Sequence, residues 1–286
     1  EKANLEYFIN SISSKNLPNL VFVDNTSSED VVAEYSLLFN NNISIVTCNK
    51  KGNSSSYEQY SKFKRLAKKN NVSFLYETNV GAGLPIIKTL NDLWISGDEI
   101  LKIEAILSGT ISYIFNNYVG DNTFAEVVRT AQELGYTEPD PRDDLNGMDF
   151  SRKMLILGRE IGLPLEMSNV NIKDFLPEAC LKAESIPAFY EELEKHEPYF
   201  SSFKNEAENS GRKLRLIGVL EDGKINIEVQ IVDANHPFFG LSGSDNIISF
   251  TTSRYKNTPL VVKGPGAGAE VTAAGVFADL VRVTAQ

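Results

Sequence analysis

The sequence predicts an α/β protein, with a parallel sheet near the N-terminus and a second, α+β section whose sheet is mostly antiparallel. Three observations carry this. Short apolar runs alternate with helix-period segments over residues 4–77. The apolar period then becomes two between 213 and 262. A glycine-rich turn at 264–269 opens a closing helix. Alternation of strands and helices implies parallel pairing through right-handed crossovers, whereas a period of two marks half-buried strands.

Residues 4–13 carry helical spacing, and 20–24 form a short apolar run ending in an acid. Residues 27–40 begin with serines and acids and continue with apolar residues at three- and four-residue steps, which predicts one helix. Strands are expected at 43–47 and 72–77, around a polar, basic helix at 55–70. Ligands of such sheets bind beyond the carboxyl ends of the strands. The polar strand ends Asp24-Asn25-Thr26, Cys48-Asn49-Lys50-Lys51 and Glu77-Thr78-Asn79 therefore stand out. Further on, helices are expected at 84–95, 109–118, 123–134 and 147–161, with a strand at 100–107 and a loop rich in Pro and Asp at 136–146. The stretch 186–210 reads as helical. A hairpin follows at 213–232, turning at Glu221-Asp222-Gly223-Lys224, with strands near 246–251 and 259–262 and a last helix to Gln286. The single tryptophan, Trp94, falls in an apolar helix pattern and is expected in the core.

With 286 residues and 42% hydrophobic content the chain can bury a substantial core. No run approaches the roughly 18 apolar residues of a membrane helix, and residues 1–4 are not a secretory signal, so a cytoplasmic protein without membrane contact is expected. A net charge of −10 argues against nonspecific nucleic-acid binding, although a local basic cluster can still hold an anionic cofactor. Cys48 and Cys180 suit neither a disulfide framework nor a zinc spacing and read as reduced thiols. His196 and His236 are isolated, which leaves a histidine mechanism unsupported.

The densest chemical signal is the block 135–153, with its stiffening prolines and crowded acids. Asp149 and Lys153 lie four apart on a predicted helix and share a face. They suit binding of an amino-acid zwitterion and delivery of a proton; the plainer alternative is a solvated loop with a surface ion pair. At 77–85, closely spaced glycines after Glu77 allow carbonyls to converge on a small cation, or serve only a strand-to-helix turn. Lys50, at a strand tip, can reach a phosphate or a reacting oxygen, or remain solvated. The glycines of 264–269 precede free helix amides that favour anions. Their spacing is near GxGxxG, but no βαβ unit follows, so they are a weak dinucleotide signal alone.

Taken in order, VDNTSS (23–28), TCNKK (47–51), ETNVGAGLPII (77–87), LSGTISYIFN (107–116), GYTEPDPRDDLNGMDFSRK (135–153) and GAGAEVTAAGVFADL (266–280) resemble the homoserine dehydrogenase family, nearest to the dehydrogenase half of bifunctional aspartokinase–homoserine dehydrogenases. The resemblance implies a partial Rossmann-like nucleotide-binding domain over 1–83, a catalytic and dimerisation domain over 84–262, and a C-terminal helix over 263–286 returning to the first. It implies Lys153 as catalytic acid/base with Lys50 beside it, and Glu138, Asp149 and Asp144 as substrate-binding. Thr26, Lys50 and Gly268 would contact NADP or NAD. Glu77, with carbonyls of Val80, Ala82 and Leu84, would hold a monovalent cation, usually sodium. A homodimer, a small-molecule substrate and an aspartokinase domain in the parent chain are implied too. The family begins with a strand and GxGxxG that this sequence lacks, so a truncated nucleotide-binding domain is expected. Two other readings stand beside this one: an oligomerisation or regulatory fragment built on 213–262, and a different semialdehyde or sugar-acid dehydrogenase, for which acylation chemistry would call on Cys48 as the thiol at a strand end.

Overall fold

The computed structural model describes residues 4–15, 17–173 and 175–284. The first section comprises α1 (Leu5–Ser13), β1 (Val21–Asp24), α2 (Glu29–Ala33), α3 (Tyr35–Asn40), β2 (Ser44–Thr47), α4 (Lys50–Asn53), α5 (Tyr57–Lys69) and β3 (Phe74–Leu75). The strands form a parallel sheet in the order β1-β2-β3, with Val21 opposite Ser44 and Ile45 opposite Phe74. β2 is buried along its whole length, as a central parallel strand should be. Tyr35, Phe39, Phe63 and Phe74 pack in edge-to-face and tilted pairs between α3, α5 and the sheet, which seats both helices on the same face.

Two expectations change here. The helix expected over 27–40 is two helices, because the chain tightens to a three-residue turn at Glu34, and beyond it the Tyr35 hydroxyl donates to Asp24. The strand expected over 72–77 keeps only two residues, since a 3-10 turn takes Glu77–Asn79.

The remainder runs α6 (Ile87–Ile95), β4 (Ile100–Ile106), α7 (Gly109–Asn117), α8 (Phe124–Glu133), α9 (Arg142–Leu145), α10 (Met148–Glu160), β5 (Val170–Ile172), α11 (Glu178–Leu181), α12 (Ile186–Lys195), α13 (Glu197–Asn209), β6 (Lys213–Glu221), β7 (Lys224–Val232), β8 (Asp245–Thr252), β9 (Leu260–Pro265) and α14 (Ala269–Thr284). The last two residues of the helix expected to reach Gln286 lie outside the described residues. A six-stranded sheet has the order β5-β7-β6-β4-β8-β9. Every pair is antiparallel except β5 with β7. α10 lies close on the sheet at Gly218, where an added Cβ would stand 2.9 Å from both Met154 Sδ and Phe150. That close approach fixes the helix carrying Asp149 and Lys153. Trp94 is not in the core: 45% of it is exposed, because it sits on the last turn of α6 with its ring near Gly162. Among the described residues no helix is long and apolar enough to cross a membrane.

α14 packs back on β2 and the 77–79 turn. Two glycines make this possible. A Cβ at Gly275 would stand 2.5 Å from Thr78 Cγ2, and one at Gly83 would stand 2.5 Å from the Val271 carbonyl oxygen. Backbone cannot move aside cheaply, so Gly83→Ala should cost about 1–3 kcal/mol, as overpacking does. Urea denaturation checks this; an unchanged midpoint would mean that the helix is not clamped there.

Candidate active site

A cleft of about 440 Å³ opens between the carboxyl ends of the parallel strands, α10 and the start of α14. It is lined by Cys48, Lys50, Ser108, Glu138, Asp144, Asp149, Lys153 and Gly268, among others. A wider groove of about 750 Å³ lies at the opposite end of the parallel strands, but its only titratable lining residue is Lys68. The first cleft gathers Lys50, Glu138, Asp143, Asp144, Asp149 and Lys153.

The centre is a three-residue ion cluster. Gly147, at φ 72°, turns the chain into α10 from a left-handed conformation that suits glycine. Two residues later Asp149 faces the cleft. Its Oδ2 lies 2.7 Å from Lys153 Nζ and its Oδ1 lies 3.2 Å from Lys50 Nζ. Lys153 is only 9% exposed and donates a second hydrogen bond, at 2.7 Å, to the Leu107 carbonyl at the end of β4. An ammonium has three donors, so one remains for the cleft. Burial pushes the Lys153 amine below the ordinary lysine value; neighbouring Lys50 adds to this, and Asp149 and Asp144 oppose it without winning. Burial works to raise the Asp149 carboxyl, but the two lysines outweigh it and hold the carboxyl below its usual range.

Lys50 is delivered by a knot beneath it. Asp24 is buried and accepts from the Tyr35 hydroxyl at 2.6 Å, from Asn49 Nδ2 at 3.1 Å, and from Thr26 through both its amide and its hydroxyl. Asn49 in turn caps α4, whose first residue is Lys50. Thr26 itself is exposed, spends its hydroxyl on Asp24 and is not among the cleft-lining residues. On the far wall Asp144 accepts from the Glu138 amide at 2.8 Å and from the Thr110 hydroxyl at 3.0 Å, and burial raises its carboxyl. The Glu138 carboxylate stands exposed, with no partner among the described residues. Gly268 lines the cleft at φ 115°, and Gly266 lies so close over Asn246 that an added Cβ would overlap its amide. Burial, then Asp24, push the Cys48 thiol up, which disfavours a thiolate nucleophile. His196 and His236 lie outside the cleft.

Glu77 sits away from this cluster. Its carboxylate accepts from the amides of Ile87 at 2.7 Å and Lys88 at 2.9 Å at the start of α6, with Arg282 at 3.5 Å. Asp279, also buried, accepts from the Glu77 amide and pairs with the same arginine. Two buried carboxylates thus share one guanidinium, and burial raises both. The Leu84 carbonyl accepts from the Ile86 amide at 2.8 Å and keeps a second lone pair. The surplus negative charge fits a cation. Among the described residues no group of three or more His, Cys, Asp or Glu is placed to hold a metal. Such a cation would depend on backbone carbonyls.

Sequence reasoning placed Lys50, Glu138, Asp144, Asp149, Lys153 and Gly268 around one cleft. Three residues were not singled out: Leu107, whose carbonyl holds Lys153, Thr110, which donates to Asp144, and Ser108, which caps α7 at the cleft wall. Ser108 was detectable as a helix cap ahead of Gly109; the Leu107 carbonyl carries no side-chain signal at all.

The homoserine dehydrogenase family profile matches residues 85–281. A homoserine dehydrogenase from Schizosaccharomyces pombe is 42% identical over 99% of this chain and 77% of its own length. The chain belongs to the homoserine dehydrogenase family. The maize bifunctional aspartokinase/homoserine dehydrogenase 1, chloroplastic, is 46% identical over 99% of this chain and 31% of its own length. The chain therefore spans about a third of that relative. Among solved structures, a Candida auris protein of unknown function superposes with a TM-score of 0.94 at 37% identity, covering 99% of this chain and 81% of the other. A hyperthermophilic archaeal homoserine dehydrogenase in complex with NADPH gives 0.72 at 25% identity, covering 93% and 71%. The α/β architecture described above, with one parallel and one mixed sheet, superposes on both of these structures.

Proposed function

We propose that this chain carries the catalytic centre for reversible, NAD(P)-dependent reduction of L-aspartate 4-semialdehyde to L-homoserine. The observation that carries the reading is Lys153, a buried amine with a lowered pKa and one donor free, facing a cleft beside Asp149 and Lys50. A bound NADPH or NADH would supply the hydride, with Lys50 and the Gly266–Gly268 turn lining the cleft that would hold it.

The chain's own residues do the rest. As charge develops on the aldehyde oxygen, the Lys153 ammonium stabilises it and delivers a proton. In the oxidation direction the neutral amine takes that proton from the hydroxyl, so its lowered pKa helps. Both Asp149 oxygens are engaged by lysines, which leaves Glu138, backed by Asp144, to hold the substrate's ammonium. Glu138→Gln should raise the KM for homoserine about 10-fold or more, as loss of a charged hydrogen bond does, with a smaller change in kcat. An unchanged KM removes Glu138 from substrate binding. The overall reading is tested by following NADPH oxidation on addition of aspartate semialdehyde to the intact protein. Cofactor binding without turnover contradicts it, and a stable oligomer that binds no cofactor favours the regulatory-fragment reading instead.

Several finer points belong to this proposal. Glu77 with carbonyls of Val80, Ala82 and Leu84 would hold sodium, supported by the surplus charge of Glu77 and Asp279; sodium should raise the melting temperature more than an equal concentration of a large organic cation. The division at 83/84 and 262/263 would separate nucleotide-binding from catalytic parts, with Thr26 contacting cofactor through its loop. A homodimer would bury the outer face of the six-stranded sheet, where Val261 is exposed, and light scattering would detect it. An aspartokinase domain in the parent chain is supported by the maize relative, and a cytoplasmic location is an alternative to that relative's chloroplast.

A further inference from the structure

α10 carries Asp149 and Lys153 in its first half, and its last turn does something else. Arg159, 3% exposed, reaches across to the first section. Its Nη1 donates to the Asn53 carbonyl at 2.8 Å; Nε and Nη2 donate to the Leu165 carbonyl at 3.0 and 2.8 Å; Nη2 also meets Glu166 at 3.2 Å. The guanidinium lies over the Tyr60 and Tyr57 rings, at 5.2 and 5.8 Å from their centroids. Asn53 is the last residue of α4, and Lys50 is its first. Less than one turn of helix, a rise of about 4.5 Å, separates the gripped residue from the lysine that touches Asp149. We propose that Arg159 is a positioning residue: by holding the end of α4 against α10 it fixes Lys50 beside Asp149 and Lys153.

Packing alone would be served by an apolar side chain of similar length. A planar fork of donors is needed because two carbonyls, Asn53 and Leu165, approach from different directions. Glu166 extends the grip by accepting from the Tyr57 amide at the head of α5. The charged groups facing Lys153 are Asp149 on its own helix, Lys50 on α4 and Asp144 on α9, with Asp143, Glu138 and Cys48 around the same cleft. Only Lys50 depends on the Arg159 grip. If α4 loosens, Lys153 loses a neighbouring cation and keeps its carboxylates, so its titration moves upward.

The test uses Arg159→Lys, Arg159→Met, Lys50→Met and the Arg159→Lys/Lys50→Met pair in the intact protein. The readouts are the titration of the Lys153 amine by carbon-13 NMR and the pH profile of homoserine oxidation. Arg159→Lys should raise the Lys153 titration point, move the ascending limb of the profile to higher pH and lower kcat about 10-fold or more. In the Lys50→Met background it should add nothing. A normal Lys153 titration in a destabilised Arg159→Lys protein, or shifts that add to those of Lys50→Met, would overturn the proposal. Should Arg159→Met fail to fold, Arg159→Lys still decides, since an ammonium can keep one carbonyl. The kinetic readout rests on the dehydrogenase reading and the NMR readout does not, so failure of that reading leaves an NMR shift intact.

Discussion

Lys153→Met lowers the turnover of homoserine oxidation by about 10²- to 10⁴-fold and changes the KM for homoserine by no more than about threefold. The range is what a positioned acid/base contributes. Methionine keeps most of the side-chain volume, so α10 stays on the sheet at Gly218. Asp149 keeps Lys50 as a counter-ion, so no orphan charge is left behind to unfold the site. The loss therefore reports chemistry rather than collapse. Steady-state kinetics in both directions, with circular dichroism as the fold control, measure it. Turnover within about threefold of wild type would take Lys153 out of the mechanism.

Asp149→Asn acts on the same cluster with a different signature. Two lysines lose their shared anion while Lys153 stays buried. With burial and Lys50 left to act, the Lys153 titration falls further, and the ascending limb of homoserine oxidation moves to lower pH. Stability falls by about 1–2 kcal/mol at neutral pH, less than for a fully buried pair because half of the carboxylate is exposed. The sign in acid follows from the lowered Asp149 carboxyl. Its contribution is present above the ordinary carboxylate pKa of about 3.9 and is lost as pH falls below it. Urea midpoints of wild type and variant should therefore converge in acid. A gap of constant size from neutral pH to pH near 2 would show that the carboxylate does not stabilise the fold through its charge.

The parallel sheet was legible because each of its three strands is a compact apolar run set between helices. The place of β4 was not. Ile103 pairs with Leu220 and Phe250, more than a hundred residues away, and nothing local announces such partners. β5 has only three residues, too few to show a period. In the site, the spacing of Asp149 and Lys153 was readable as one helix face, and Lys50 as a strand tip. The direction of the Lys153 shift was not readable, since it depends on how deeply α10 presses against the Leu107 carbonyl. Thr26 was picked for its position, but its hydroxyl turns inward because buried Asp24 needs partners. Glu77 looked like a ligand at a glycine-rich turn; in the fold it also caps α6, a role set by a helix start ten residues on. Trp94 shows the limit of apolar spacing, since a helix's final turn can run beyond the core it covers.

Burial, aided by Lys50, prevails over two carboxylates and holds the Lys153 amine below the ordinary lysine value. Carbon-13 NMR titration of Lys153 in the unmodified protein measures this directly. Lys153 should titrate clearly below the surface lysines in the same spectrum. A Lys153 that titrates with them, or above them, would contradict it.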